Sequence, residues 1–195
     1  MMYILGLFVA YLLGSVPMGL LLTRLAGKGD IRKVGSGNIG ATNVMRVGGL
    51  RLAGLTWLLD MFKAIVAVWI GRTIGGDGFA AWCGFVAVIG HCYPVWLGFK
   101  GGKGISSLFG VVLAVSPLAF IICGIEWLLV ALFSGFSSLG AVVVFCILPL
   151  LGFLLGASIG FAFLAISLLC LWRHYQNIKR LINGTESKVD WRWKK

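Results

Sequence analysis

The sequence predicts an all-α integral membrane protein, and three observations carry that prediction. Hydrophobic residues make up 59% of the 195, charged residues only 12%, and the mean hydropathy is +0.99, which excludes an ordinary soluble globule. Apolar runs recur along the whole chain, several as long as a bilayer-crossing helix of about 20 residues. Basic residues gather between those runs and are not spread over a polar surface, as in the cytoplasmic loops of membrane proteins. A net charge of +11 therefore points to acidic partners met at a membrane, namely lipid headgroups or a phosphorylated substrate, and not to nucleic acid.

Apolar segments fall at about 3–24, 50–71, 79–98, 105–116, 117–134, 138–154 and 157–173. The first opens at Met2 with no basic stretch before it and no Ala-x-Ala site after it, so it reads as a retained span and not a cleaved signal. The second and third are also long enough to cross. From 105 to 172 the only charge is Glu126; Pro117, the Ser134–Ser138 cluster and the glycines between 152 and 160 supply the breaks. Seven spans result, with five or six as the alternatives. No internal repeat is visible, and a single domain over 1–195 is expected.

Seven spans put the loops 24–51, 98–104 and 173–195 on one side. That side holds all but Lys63 and Arg72 of the 17 basic residues. The positive-inside rule makes it cytoplasmic, with the N-terminus outside and the C-terminus inside. The five cysteines stand singly in apolar runs and read as small buried hydrophobes.

Three polar stretches carry the chemistry. The first, Gly35-Ser-Gly-Asn-Ile-Gly-Ala-Thr-Asn-Val-Met-Arg46, has hydroxyls on Ser36 and Thr42, amides on Asn38 and Asn43, the Arg46 guanidinium and no carboxylate. Gly35, Gly37 and Gly40 match a dinucleotide fingerprint in letter only, because a membrane span and not a strand precedes them. What survives is an anion cradle of glycine-exposed amides leading into a helix. The second, Lys100-Gly-Gly-Lys-Gly-Ile-Ser106, is no P-loop, since Leu97 stands where that motif needs its first glycine and Gly104 follows Lys103. Lys103 at a helix start nonetheless suits phosphate. The third runs from Arg173-His174 through Asn177 to Arg180, read as continuing the last span with Arg173, Asn177 and Arg180 on one stripe.

His91 lies in the third apolar run, nine residues before Lys100. There it is a candidate general base or hydrogen-bonding group, with a structural histidine as the alternative. Asp60 and Lys63, at i,i+3, are expected to neutralise each other. Two histidines without paired carboxylates make a metal site unexpected, and no cofactor is called for.

Together the three stretches resemble the bacterial integral-membrane acyl-phosphate:glycerol-3-phosphate acyltransferases (PlsY type). The resemblance rests on residues 35–46, on Lys100-Gly-Gly-Lys-Gly104, and on His174-x-x-Asn177-Ile-x-Arg180-Leu-x-x-Gly184-x-Glu186, in order along nearly the whole chain. Ser106-Ser107 departs from the family's pattern. The resemblance implies transfer of a fatty acyl group from acyl phosphate to the 1-hydroxyl of glycerol 3-phosphate, giving 1-acyl-glycerol 3-phosphate (lysophosphatidic acid) and inorganic phosphate, the first step of phospholipid biosynthesis. It implies a bacterial cytoplasmic (inner) membrane protein with its active site facing the cytoplasm, in contact with membrane lipids and expected as a monomer.

On this reading Ser36 and His91 are the catalytic candidates. Substrate binding falls to Gly35, Gly37, Asn38, Gly40, Thr42, Asn43, Arg46, Lys100, Gly101, Gly102, Lys103, Gly104, Ser106, His174, Asn177 and Arg180. Either His91 or a substrate phosphate oxygen takes the hydroxyl proton, and substrate assistance is favoured. A small phosphate-ester transporter is the rival; it would want polar residues threaded through spans that here hold little but Glu126.

Overall fold

A computed structural model describes residues 1–189, all of whose regular structure is helical. The chain forms two compact units, Met1–Val115 and the part from Ser116 onward. The basic residues Arg192, Lys194 and Lys195 lie outside the described residues.

The first apolar run is two helices, α1 Met2–Ser15 and α2 Met18–Leu25. Pro17 separates them, because its ring cannot supply a backbone donor and restricts Val16 to the extended conformation seen there. Helix α3 spans Ala41–Cys92 but is broken at Gly49 and again at Gly75 and Gly76. Gly49 (φ 82°) and Gly76 (φ 71°) take backbone conformations open to glycine. The arms on either side of Gly75–Gly76 fold back on each other. Gly71 lies so close to Ala80 that an added Cβ would sit 2.9 Å from the Ala80 Cα, and a Cβ on Gly84 would meet Val68 at 3.0 Å. The runs at 50–71 and 79–98 are thus the two legs of a hairpin. The second leg stops at Cys92, short of its apolar run, because Pro94 diverts the chain into a 3-10 turn at Val95–Leu97.

Small residues let these helices approach as they do in membranes. A Cβ on Gly14 would strike the Ala87 carbonyl oxygen, and one on Gly90 that of Tyr11. Tyr3 packs edge-on against Phe79, with ring centroids 4.8 Å apart. Helix α1 therefore runs parallel to the second leg. The N-terminus shares one end of this unit with the Gly75–Gly76 turn, while the segments 26–40 and 93–104 share the other. Helix α4, Ile105–Val115, runs from Asp60 toward Arg72, with the Ser107 hydroxyl donating to the Asp60 carbonyl and Arg72 donating to that of Ala114. Eleven residues reach only about 16 Å, short of a bilayer core.

In the second unit, α5 Pro117–Ser134 and α6 Ser137–Leu155 form a hairpin through Gly135 (φ 80°), and α7 Ala157–Arg173 returns along α6. Ser116 caps α5 by accepting from the Ala119 amide, with Pro117 at the first helical position. Between α7 and α8, Tyr175–Ile182, the axis bends by 60° at His174. The single stripe expected from Arg173 to Arg180 is thereby corrected: Arg173 ends one helix, while Asn177 and Arg180 lie on the next. Among the described residues, four helical stretches are long and apolar enough to cross a membrane, Met2–Leu25, Ala41–Leu97, Pro117–Ser134 and Ser137–Leu155, five if α7 and α8 count as one broken span. The second of them holds both legs of the α3 hairpin.

Candidate active site

In the first unit the glycine-rich loop is assembled around one buried amide. Ile31 and Ile39 anchor its ends in a cluster with Leu20, Val44 and Ala53. Between them Asn43, 1% exposed, accepts from the Ser36 amide at 2.9 Å through Oδ1 and donates through Nδ2 toward the carbonyls of Asn38, Val34 and Ile31 at 2.9, 3.0 and 3.3 Å. A Cβ on Gly35 would collide with that Oδ1, so the loop can close on Asn43 only over a glycine. Asn38 turns the chain locally by accepting from the Gly40 amide at 2.8 Å. The result exposes the Ser36 hydroxyl, Thr42 and Arg46. The latter two stand one turn apart on the short helix opening at Ala41, while Asn43 and Val44 face inward. Before the loop, hydrogen bonds from the Arg32 guanidinium and amide, then from Arg24, hold the Asp30 carboxyl far below the usual carboxylate range.

The lysine–glycine stretch approaches from the other side. Leu97 packs on the cluster that anchors the loop. The chain then turns inward, and the amides of Gly101 and Gly102 donate to the carbonyls of Cys92 and His91 at 3.1 and 3.0 Å. Gly102 lies directly against the His91 imidazole, where a Cβ would stand 2.0 Å from Nε2. On the ring's far side Nδ1 is 3.1 Å from the Lys63 Nζ, which also donates to the Val16 carbonyl at 2.8 Å and touches the Asp60 carboxylate at 2.7 Å. The expected Asp60–Lys63 pair is therefore real, and buried. Gly104 (φ 90°) then opens α4, with Ser106 and Ser107 buried in its first turn.

In the second unit a carboxylate that the sequence reading left without a role holds the polar groups in place. Glu186 accepts from the Ser138 hydroxyl at 2.9 Å and the Asn177 amide at 2.6 Å, and its other oxygen accepts from Arg180 Nε at 2.6 Å. The segment after α8 is tied down by the Val189 amide, which donates to the Gly135 carbonyl at 2.8 Å. His174, 4% exposed, directs Nδ1 at the Cys170 carbonyl, 2.8 Å away, so that nitrogen carries a proton. Neither oxygen of Glu126 has a hydrogen-bond partner among the described residues.

Burial raises the Glu186 carboxyl, but its bonds from Asn177, Arg180 and Ser138 outweigh this and hold it below its ordinary 4.5. A carboxyl depressed in the folded state stabilises the fold fully above its unfolded value. That contribution is lost as pH falls through the lower folded value. Glu186→Gln should accordingly flatten the loss of melting temperature in detergent below about pH 5. An unchanged acid limb would remove this role from Glu186.

The family model for glycerol-3-phosphate acyltransferase matches residues 4–184. Glycerol-3-phosphate acyltransferases from Rhizobium etli and Agrobacterium fabrum are 48% and 45% identical over 93% and 95% of this chain, and over 88% and 91% of their own lengths. The chain belongs to the glycerol-3-phosphate acyltransferase family. It is an acyltransferase, as the sequence resemblance led one to expect. Two crystal structures of PlsY, an integral membrane glycerol 3-phosphate acyltransferase, superpose on it. The glycerol 3-phosphate form gives a TM-score of 0.91 at 35% identity and 96% coverage of both chains. The lysophosphatidic acid form gives 0.90 at 34%, covering 96% of this chain and 95% of that one.

Within this acyltransferase, the structure brings His91 to Gly101 and Gly102, and Ser36, Asn38 and Gly40 to Asn43. It turns Asn43 inward to hold the loop. Sequence reasoning missed Glu186 and Ser138. An acid, one of two with Asp190, in an otherwise basic tail stretch was the signal for the first; no signal marked the second.

Proposed function

We propose that this acyltransferase moves a fatty acyl group from acyl phosphate to the 1-hydroxyl of glycerol 3-phosphate, releasing inorganic phosphate and 1-acyl-glycerol 3-phosphate. The observation that supports it best is the pair of glycine turns at one end of the first unit, each opening a helix and each beside a cation, Arg46 or Lys103. Backbone amides at such turns bind phosphate oxygens. Both substrates carry phosphate, and the PlsY crystal forms are named for glycerol 3-phosphate and lysophosphatidic acid.

On this reading the Ser36 hydroxyl, Asn38 and those loop amides not engaged within the loop receive the acyl phosphate, the amides of Ser36, Gly37 and Gly40 being spent on Asn43, Val34 and Asn38. Arg46, Lys100 and Lys103 bind glycerol phosphate, with Thr42 and Ser106 as hydroxyl donors. Gly101, Gly102 and Gly104 shape the wall it lies against, the amides of Gly101 and Gly102 being engaged by the Cys92 and His91 carbonyls. In the second unit His174, Asn177 and Arg180 offer further phosphate ligands. The glycerol oxygen attacks the acyl carbonyl carbon, the bond from that carbon to the phosphate oxygen breaks, and its electron pair leaves with the phosphate. The hydroxyl proton passes to a phosphate oxygen of the substrate, whose pKa lies in the working range. No acyl-enzyme is needed, because the donor is already activated; the protein positions groups and stabilises charge.

Seven spans, with the two legs of the α3 hairpin counted separately and the short α4 entering the bilayer without crossing its full thickness, put the N-terminus outside and the two glycine turns at the cytoplasmic face of the inner membrane, and the basic loops support that orientation. The whole chain acts as one acyltransferase domain, as a monomer among membrane lipids.

Purified protein given palmitoyl phosphate and glycerol 3-phosphate should release inorganic phosphate. No turnover, with phosphate-ester flux across liposomes instead, would establish the transporter reading. His91→Ala should lower kcat by about 10²-fold while leaving measurable turnover; complete loss in a folded variant would make the histidine the base.

A further inference from the structure

We propose that Lys63 is a positioning residue that fixes the His91 imidazole in its Nε2–H form, so that His91 serves acyl transfer as a hydrogen-bond donor and not as its base. The second half of this inference rests on the reading under Proposed function; the first half does not.

Three groups surround the Lys63 ammonium: the Asp60 carboxylate at 2.7 Å, the Val16 carbonyl at 2.8 Å and His91 Nδ1 at 3.1 Å. An ammonium has three donors and no acceptor. Lys63 is 4% exposed and Asp60 1%, so each needs the other to remain ionised away from water. With its charge kept by Asp60, Lys63 can meet His91 only by donating. Nδ1 is then the acceptor, and the ring proton resides on Nε2.

The competing partner for Nδ1 is Asp60 itself, which would call for an Nδ1–H. It stands at 3.5 Å, too far for a good hydrogen bond, and the ammonium lies closer. The Val16 carbonyl completes the arrangement from the junction between α1 and α2, so the lysine is fixed from two helices at once. The ring is 4% exposed and cannot turn over without breaking these contacts. On its other side Nε2 faces Gly102, in the turn assigned to phosphate. A protonated Nε2 there adds a donor to that wall, whereas a bare lone pair would repel an anion. Asp60 and Lys63, which in sequence look like a pair that merely cancels, thereby determine which nitrogen of His91 carries the proton.

The full-length protein labelled with 15N-histidine decides the matter by NMR at neutral pH, with the His91 signals assigned by their loss in His91→Gln. The expected spectrum has an unprotonated Nδ1 and a protonated Nε2 for His91. In Lys63→Met, Nδ1 loses its donor and should become protonated toward Asp60. A protonated Nδ1 in the unsubstituted protein overturns the proposal, and this measurement stands even if Lys63→Met fails to fold. Kinetics test the donor role separately. Gln can present an N–H near the Nε2 position, so His91→Gln should keep kcat within about tenfold of the unsubstituted enzyme, against about 10²-fold loss in His91→Ala. Equal losses in the two variants would overturn that role. Should the acyl-transfer reading itself fail, the unsubstituted protein would show no turnover while the His91 spectrum stayed as expected.

Discussion

Gly102→Ala should lower kcat/KM by about 10²-fold or more, although it adds only a methyl group. The new Cβ would lie 2.0 Å from His91 Nε2, and something must move by about an ångström, a displacement that costs roughly that factor in an organised site. The imidazole cannot yield, since it is buried and held at Nδ1 by Lys63. The backbone of the turn has to give instead, breaking the hydrogen bonds that the Gly101 and Gly102 amides donate to the carbonyls at the end of α3 and misplacing Lys103. Steady-state kinetics with palmitoyl phosphate and glycerol 3-phosphate measure the effect. Gly124→Ala, where an added Cβ meets nothing within 4 Å, is the control and should behave as the unsubstituted enzyme does. A Gly102→Ala enzyme with unchanged kinetics would mean that the turn does not rest on His91 during turnover.

This collision also marks the boundary of what the sequence could disclose. The apolar runs at 117–134 and 138–154 became α5 and α6 almost residue for residue, because Pro117 and Gly135 are local signals with local consequences. The Gly75–Gly76 reversal was legible for the same reason, as a short polar gap beside Arg72. The 3-10 turn after Pro94 and the break at Val16–Pro17 fell inside runs that hydropathy alone renders as continuous. The chemistry-bearing stretches were recognisable by their polar density in a hydrocarbon background, but density does not say which groups bind each other. Lys63 meets His91 across 28 residues, and Ser138 meets Glu186 across 48. Those pairings follow from how helices pack, through contacts such as Gly71 on Ala80 and Gly140 on Trp127, that carry no signature in one sequence. The bend at His174 is of the same kind, and it alone separates Arg173 from the face bearing Asn177 and Arg180.

The loop at 35–46 shows the limit most sharply, since two asparagines five residues apart have opposite duties. Asn38 makes a local turn and stays partly exposed, whereas Asn43 is buried and supplies the interior of the loop. Asn43→Asp is the substitution that separates shape from hydrogen bonding there. It preserves the side-chain outline and the acceptor for the Ser36 amide. It also replaces a donor aimed at three carbonyl oxygens, at 2.9, 3.0 and 3.3 Å, by an anionic acceptor. The contacts that the two N–H groups of Nδ2 make with those three oxygens become repulsive, around a charge in a pocket 1% exposed. The penalty should be about 3 kcal/mol or more, lowering the melting temperature in detergent by about 5 °C or more. Acyl transfer should fall by at least about 10²-fold, because Ser36 and the Gly35–Gly40 amides lose their common support. Asn43→Ala leaves the same carbonyls unpaired but adds no charge, so it should be the milder of the two. The order of the two variants is what tests the assignment. An Asp variant as active as the unsubstituted enzyme, or more stable than the Ala variant, would mean that Asn43 does not hold the loop by donating to it.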